Sequence, residues 1–165
     1  MTVRYTIVPS PIDDLLLTSE GGALTRLHMT PHSGRHGIGD DWVRDDDERV
    51  LAEARRQLDT YFAGNLSAFD LPLDPAGTPF QVQVWQQLTR IPYGQTISYG
   101  ELARRIENPS ASRAVGLANG RNPIAVIVPC HRVIGADGSL TGFGGGLDRK
   151  RALLSLEQGV QTLPV

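Results

Sequence analysis

The chain has 165 residues, 40% of them hydrophobic, a formal net charge of −2 and one cysteine. That size supports a core in one domain or in two small ones packed together, and a lone cysteine excludes an internal disulfide and a cysteine zinc site. No run approaches the ~18 uncharged apolar residues of a spanning helix, and residues 1–10 lack the basic-then-apolar order of a signal peptide, so a cytoplasmic protein is expected.

Short apolar runs at residues 5–8, 15–17 and 23–27, separated by Pro11 with Asp13 and by Gly21-Gly22, predict strands and hairpins. Residues 30–47 are polar, with Gly34, Gly37, Gly39 and an acidic run, and read as a mobile loop. Val50, Leu51, Ala54, Leu58, Tyr61 and Phe62 recur at helical spacing, and Gly64-Asn65 stops that helix. The predicted architecture is α+β, with an N-terminal strand-and-helix domain over residues 1–77 packed on a mainly helical C-terminal domain over residues 78–165.

The second domain opens on Thr78, Pro79 and Gln81, an N-cap, a first-turn proline and a capping-box partner, ahead of a face formed by Phe80, Val84, Trp85 and Leu88. Ser98 and Glu101 cap a helix carrying Leu102 and Ile106, which Asn108-Pro109 ends. Ser110 is placed to cap a third helix, running through Arg113 to Asn119-Gly120 and rich in small residues: Ala111, Ala114, Gly116, Ala118. Two short helices around a tight turn have the outline of a helix-turn-helix, and ordinary helix packing gives the same pattern. Asp148 is placed to cap a C-terminal helix with Leu153, Leu154 and Leu156. Charge separates the halves: residues 1–78 carry 7 Arg and 13 Asp+Glu, net −6, and residues 79–165 carry 9 Arg+Lys and 5 Asp+Glu, net +4. A polyanion would dock on the second half.

Residues 124–128 form an apolar, β-branched run that predicts a buried strand leading into Pro129, Cys130, His131, Arg132 and Val133. Thiolate is the reactive form of cysteine, and a neighbouring imidazole or guanidinium favours it, which makes Cys130 a candidate nucleophile. A lone cysteine after an apolar run is also the pattern of an inert buried thiol. Glu157, three residues after Leu154, has by itself the pattern of a solvated charge. His28, His32 and His36 recur every four residues, but Pro31 and Gly34 break any helix that would gather them on a metal, and no metal site is expected.

Asn122-Pro123, the apolar run and Pro129-Cys130-His131-Arg132-Val133 together resemble the active-site signature of the O6-alkylguanine-DNA alkyltransferases. The similarity extends to Ile91-Pro92-Tyr93-Gly94, to Ser98-Tyr99, to the run from Arg113 through Ala114-Val115-Gly116 to Asn122, and to the glycine-rich residues 141–146. The resemblance implies a structural N-terminal domain and a C-terminal domain whose helix-turn-helix enters the minor groove of double-stranded DNA, with Ser112, Ala114 and Gly116 at the contact. It further implies that Arg113 fills the base stack after the damaged nucleotide is flipped out, and that Tyr99 rotates the phosphate and supplies a proton toward guanine N3. Cys130 then attacks the alkyl carbon, with His131 as base through a water, Glu157 orienting the imidazole and Asn122 bracing the turn. Val133, Phe143, Gly144 and Asn119 correspond to pocket positions.

Phe143 stands where many relatives have tyrosine, and Asn119 where some have an apolar residue, which affects the preference among alkyl groups. Some relatives carry an N-terminal zinc bound by cysteines, for which this chain has none. No cofactor is implied. The expected molecule is a monomer in solution, able to assemble cooperatively on DNA. Two rival readings compete, a sensor that grips alkylguanine without transfer and a cysteine hydrolase using Cys130, His131 and Glu157. The first lacks a use for Cys130, and the second a use for the helix-turn-helix.

Overall fold

The computed structural model describes residues 2–30 and 37–159, which fall into two compact units, Met1–Ala76 and Gly77–Val165. His32, His36, Pro31 and Gly34 lie outside the described residues.

In the first unit, β1 (Arg4–Val8), β2 (Leu15–Glu20) and β3 (Ala23–Met29) form an antiparallel meander, and β4 (Val43–Arg44) joins β1 in parallel, giving the order β3-β2-β1-β4. Gly21 and Gly22, at φ 60° and 84°, make the two-residue turn between β2 and β3, a conformation that side chains resist at both positions. As the central strand, β2 is buried from Leu15 through Ser19, so it shows no alternation of inside and outside. Helix α1 (Arg49–Phe62) packs on β1, β2 and β3 through Val50, Leu51, Ala54, Leu58 and Tyr61, of which Val50, Leu51 and Leu58 each contribute about 1.5–3 kcal/mol on leaving water.

Of the stretch expected as a mobile loop over residues 30–47, the part at residues 42–45 is more ordered than its composition suggests. Val43 and Arg44 pair with the otherwise open edge of β1, Arg4 reaches Asp45 at 2.8 Å, and Arg26 lies 5.0 Å over the Trp42 ring. An unpaired strand edge satisfies its backbone by recruiting such a segment.

The second unit is mainly helical. Helix α2 (Pro79–Leu88) starts at the Thr78 capping box, with Gln81 N bonded to Thr78 Oγ1 at 3.2 Å and Thr78 N to Gln81 Oε1 at 2.9 Å. Helix α3 (Tyr99–Arg105) begins where Ser98 Oγ accepts from Glu101 N, and it packs on α4 (Ser112–Gly120). Between them Glu107 takes φ 60° and Asn108 N returns to Ala103 O, a left-handed stop that turns the chain sharply. The buried Trp85 Nε1 donates to Ala118 O at 2.8 Å and so ties α2 to α4.

Ser110 does not cap α4: its N-cap is Ala111, with no side-chain bond, because Ser110 Oγ instead meets Asn108 Oδ1 in the preceding turn. Nor does Asp148 cap α5 (Leu147–Gln158). Gly146 holds that position at φ 92°, and Asp148 sits in the first turn, where its charge favours the helix dipole. Two short strands, β5 (Ile97–Ser98) and β6 (Val133–Ile134), pair in parallel.

Candidate active site

Residues 124–128 do not form the buried strand that their composition predicts. The chain coils there: Val126 takes φ 72°, Ile127 N bonds to Ala125 O at 2.8 Å, and Val128 N bonds to Ile124 O at 3.0 Å. Asn122 imposes this shape from the side, donating Nδ2 to Val128 O at 2.7 Å and accepting Ile124 N at 3.0 Å. A β-branched residue at positive φ is strained, and strain of this kind collects at functional sites. Cys130 N then bonds back to Val128 O across Pro129 at 2.8 Å, and residues Cys130–Arg132 form a single 3-10 turn that leads directly into β6.

All three residues of that turn are buried, but they face different partners. Glu157 on α5 gathers the two polar ones. Its Oε2 meets His131 Nε2 at 2.7 Å and accepts Arg132 Nη2 at 2.9 Å, while its Oε1 accepts Arg132 Nε at 2.7 Å. Arg132 is also bonded to Ile91 O at 2.7 Å and lies 5.8 Å over the Tyr93 ring. Glu157 is only 6% exposed, in contrast to the solvated charge that its place in the sequence suggests.

A carboxylate can only accept, so the Glu157 contact sets the tautomer of His131 with hydrogen on Nε2. Nδ1 is left as an acceptor, and it has no hydrogen-bond partner among the described residues. Burial holds the imidazole below its ordinary pKa, against the opposing pull of Glu157. Burial likewise pushes the Cys130 thiol up, countered by Asn122 and by the charge of Lys150. Neither His131 nor Arg132, the sequence neighbours expected to favour the thiolate, is what offsets that burial.

The remaining expected residues lie around this turn. Asn119, near the end of α4 and 2% exposed, donates Nδ2 to Cys130 O at 3.3 Å, and its Oδ1 has no hydrogen-bond partner among the described residues. Val133 is fully buried in β6. Tyr99 opens α3, its hydroxyl receiving Thr141 Oγ1 at 3.1 Å and donating to Thr141 O at 3.4 Å. A Cβ on Gly116 would lie 3.6 Å from the Tyr99 ring, which places Gly116 of α4 beside that tyrosine. Ser112 is half-buried, and Arg113 and Ala114 are exposed on α4 beside Leu117, which is 64% exposed. Phe143 is half-buried and Gly144 exposed on the loop before α5.

Sequence reasoning passed over Lys150. It is fully buried on α5 and donates Nζ to Val133 O at 2.7 Å and to Thr141 O at 2.8 Å. The only hint was its place between two arginines in Asp148-Arg149-Lys150-Arg151, which reads as an exposed basic stretch. Among the described residues no group of three His, Cys, Asp or Glu could hold a metal, and no helix is long and apolar enough to cross a membrane.

Two family descriptions match in succession: the ribonuclease-like domain of 6-O-methylguanine DNA methyltransferase over residues 3–75, and its DNA binding domain over residues 79–159. The chain belongs to the 6-O-methylguanine DNA methyltransferase family. Within this family, the methylated-DNA--protein-cysteine methyltransferase of Methanosarcina acetivorans is 53% identical over 153 residues, spanning 93% of this chain and 97% of the relative. That of Mycobacterium tuberculosis is 53% identical over 156 residues, 94% of this chain and 93% of the relative. The crystal structure of the M. tuberculosis O6-methylguanine methyltransferase matches with a TM-score of 0.87 at 51% identity, over 98% of this chain and 96% of that one. The structure of M. tuberculosis OGT in complex with DNA matches with a TM-score of 0.85 at 52% identity, over 96% and 94%.

Proposed function

We propose that this protein reverses DNA alkylation directly, by irreversible transfer of the alkyl group from O6 of guanine to Cys130, one transfer per molecule. The observation that carries this reading is the state of His131. Next to the chain's only cysteine, the imidazole meets Glu157 through Nε2 at 2.7 Å, a contact that puts its hydrogen there, and Nδ1 has no hydrogen-bond partner among the described residues.

Because burial pushes the thiol up, the thiolate has to be generated by a base. His131 Nδ1 takes the thiol proton through a water, and Glu157, already neutralised by Arg132, holds the ring in place. The thiolate attacks the alkyl carbon, the S–C bond forms as the C–O6 bond breaks, and the bonding pair passes to guanine. Tyr99 donates a proton toward N3, so guanine leaves neutral. The product is a thioether that nothing in the site can cleave. Asn122 braces the cysteine turn, and Val133, Phe143, Gly144 and Asn119 form the pocket.

Guanine O6 points into the base pair, so the nucleotide has to be flipped out before the thiolate can reach it. The helix-turn-helix of α3 and α4 is the DNA-binding element in this reading, and the relative solved with DNA supports DNA as the partner. The low profile of Ser112, Ala114 and Gly116 suits close approach in the minor groove, with Arg113 entering the stack. The protein works as a cytoplasmic monomer that can assemble cooperatively along DNA, without a cofactor.

The test is to mix the protein with duplex DNA carrying O6-methylguanine and map the added methyl group by mass spectrometry. One methyl per molecule on the Cys130 peptide, lost in Cys130→Ser, is the expected outcome. Repair of many lesions per molecule, or transfer surviving the substitution, would refute it.

A further inference from the structure

Four side chains that carry charge at a working site are buried together around the cysteine turn: Cys130, Arg132, Lys150 and Glu157. Glu157 and Arg132 form a bidentate pair and cancel. Lys150 has no such partner. Its ammonium donates to the carbonyls of Val133 and Thr141, and no carboxylate pairs with it among the described residues. A fully buried lysine without a counter-ion is rare, since desolvating an ammonium costs several kcal/mol and neutral carbonyls recover only part of it.

The charges of these four side chains sum to zero when Cys130 is ionised, the thiolate balancing the ammonium, and a proton held on His131 adds one positive charge beside them. The two groups do sense each other: each one's charge opposes the loss of ionisation that burial imposes on the other. Lys150 also acts against protonation of His131, which keeps that ring available as a base. Its second carbonyl, Thr141 O, is the one that the Tyr99 hydroxyl contacts, so one ammonium links the tyrosine, β6 and the cysteine turn.

We propose that Lys150 is a positioning residue for alkyl transfer, the buried counter-charge of the Cys130 thiolate and the clamp that holds the Val133 and Thr141 carbonyls around it. This rests on Cys130 being the alkyl acceptor. The proton leaves the thiol for His131, and Lys150 keeps its own throughout. Alkylation then abolishes the negative charge and leaves the ammonium unbalanced.

The groups gathered round the pair are His131 and Arg132 of the cysteine turn, Glu157 of α5, and Tyr93 and Tyr99 from the α3 side, so the pH profile is read against variants of Lys150 alone. The full chain is titrated by thiolate absorbance and by its rate of reaction with iodoacetamide, neither of which depends on DNA. In Lys150→Met the thiolate inflection is expected to rise by about one pH unit or more, slowing iodoacetamide about tenfold at pH 7, with alkaline pH restoring the rate. Methyl transfer should slow in parallel while affinity for undamaged duplex holds, and Lys150→Arg should stay close to the parent profile. An unmoved inflection in folded Lys150→Met would overturn the proposal.

If Lys150→Met does not fold, the parent chain decides by nitrogen-15 lysine NMR. Blocking Cys130 with methyl methanethiosulfonate should lower the Lys150 Nζ pKa by about one unit or more, and an unchanged value would overturn the proposal equally. A shifted thiolate in a protein that takes no methyl group from DNA would sink the alkyltransferase reading and leave the ion pair standing.

Discussion

His131 Nε2 lies 2.7 Å from Glu157 Oε2, with both side chains sealed from solvent. Arg132 already holds the same carboxylate with two bonds, so the imidazole is oriented by a charge that is largely spent. This is why burial outweighs Glu157 and leaves His131 less basic than in water.

Stability should therefore fall as the solution is acidified from neutrality. The folded pKa of His131 lies below its unfolded value near 6.5, so its contribution is complete above that pH and is lost as pH falls toward the folded value. Over that interval one proton costs up to about 1.4 kcal/mol per pH unit. Urea unfolding between pH 7 and pH 5 checks this, and His131→Asn should flatten the slope.

Glu157→Gln is expected to destabilise the fold by about 3–5 kcal/mol, because it leaves Arg132 charged, buried and unpaired. Glu157→Gln combined with Arg132→Met should recover part of that loss, since no bare charge remains. Denaturant midpoints of the two variants separate a charge effect from a simple packing loss.

Arg113 is exposed on α4, so Arg113→Ala should change stability by no more than about 0.5 kcal/mol. Its effect belongs to DNA. Transfer from a base-paired lesion should slow more than transfer from free O6-methylguanine base, which needs no flipping. Equal losses on both substrates would mean that Arg113 supports the pocket instead.

Leu117 lies one turn beyond Arg113 with 64% of its surface exposed, on the helix assigned to DNA. Leu117→Glu should weaken binding to undamaged duplex several-fold more than Leu117→Ala, by adding repulsion from phosphate to the lost contact. Titration of both variants at one salt concentration, with circular dichroism to show an unchanged fold, measures the difference.

Phe143 keeps an aromatic surface on the loop before α5 and lacks only a hydroxyl. A neutral hydrogen bond contributes roughly 0.5–1.5 kcal/mol net, so Phe143→Tyr should change the single-turnover rate by about tenfold at most. Phe143→Leu should cost more. A large gain for the tyrosine with an indifferent leucine would assign the role to the hydroxyl.

Capping chemistry at Thr78, the helical spacing of α1 and the Gly21-Gly22 turn were legible because each depends on residues close in sequence. The Pro-Cys-His-Arg run was legible as a signature, but the conformation that delivers it was not. Residues 124–128 carry strand composition, and two side-chain bonds from Asn122 override that propensity. Position in the sequence by itself read Glu157 as a solvated charge and gave no reading of Lys150, for one common reason. A charged residue reads as solvated unless its partners are known, and here those partners come from β6, the cysteine turn and the loop at Thr141. Ser110 failed as a cap because a nearer acceptor, Asn108, captured its hydroxyl.

The pairing of Ile97 with Val133 and Ser98 with Ile134 acts as a spacer gauge. Tyr99 follows one end of that ladder without an intervening residue, and Cys130 precedes the other by a single turn. An extra residue between Ser98 and Tyr99, or between Arg132 and Val133, would displace one reactive group by about 3.3 Å and reverse the facing of its neighbours. The exposed bend around Asp137 and Gly138, closed at its base by Gly135 N on Ser139 O at 2.8 Å, has no such duty. Lengthening the chain there would add slack where nothing is being measured, so a reporter peptide could be spliced into that bend and still leave the tyrosine and the thiol at their set separation.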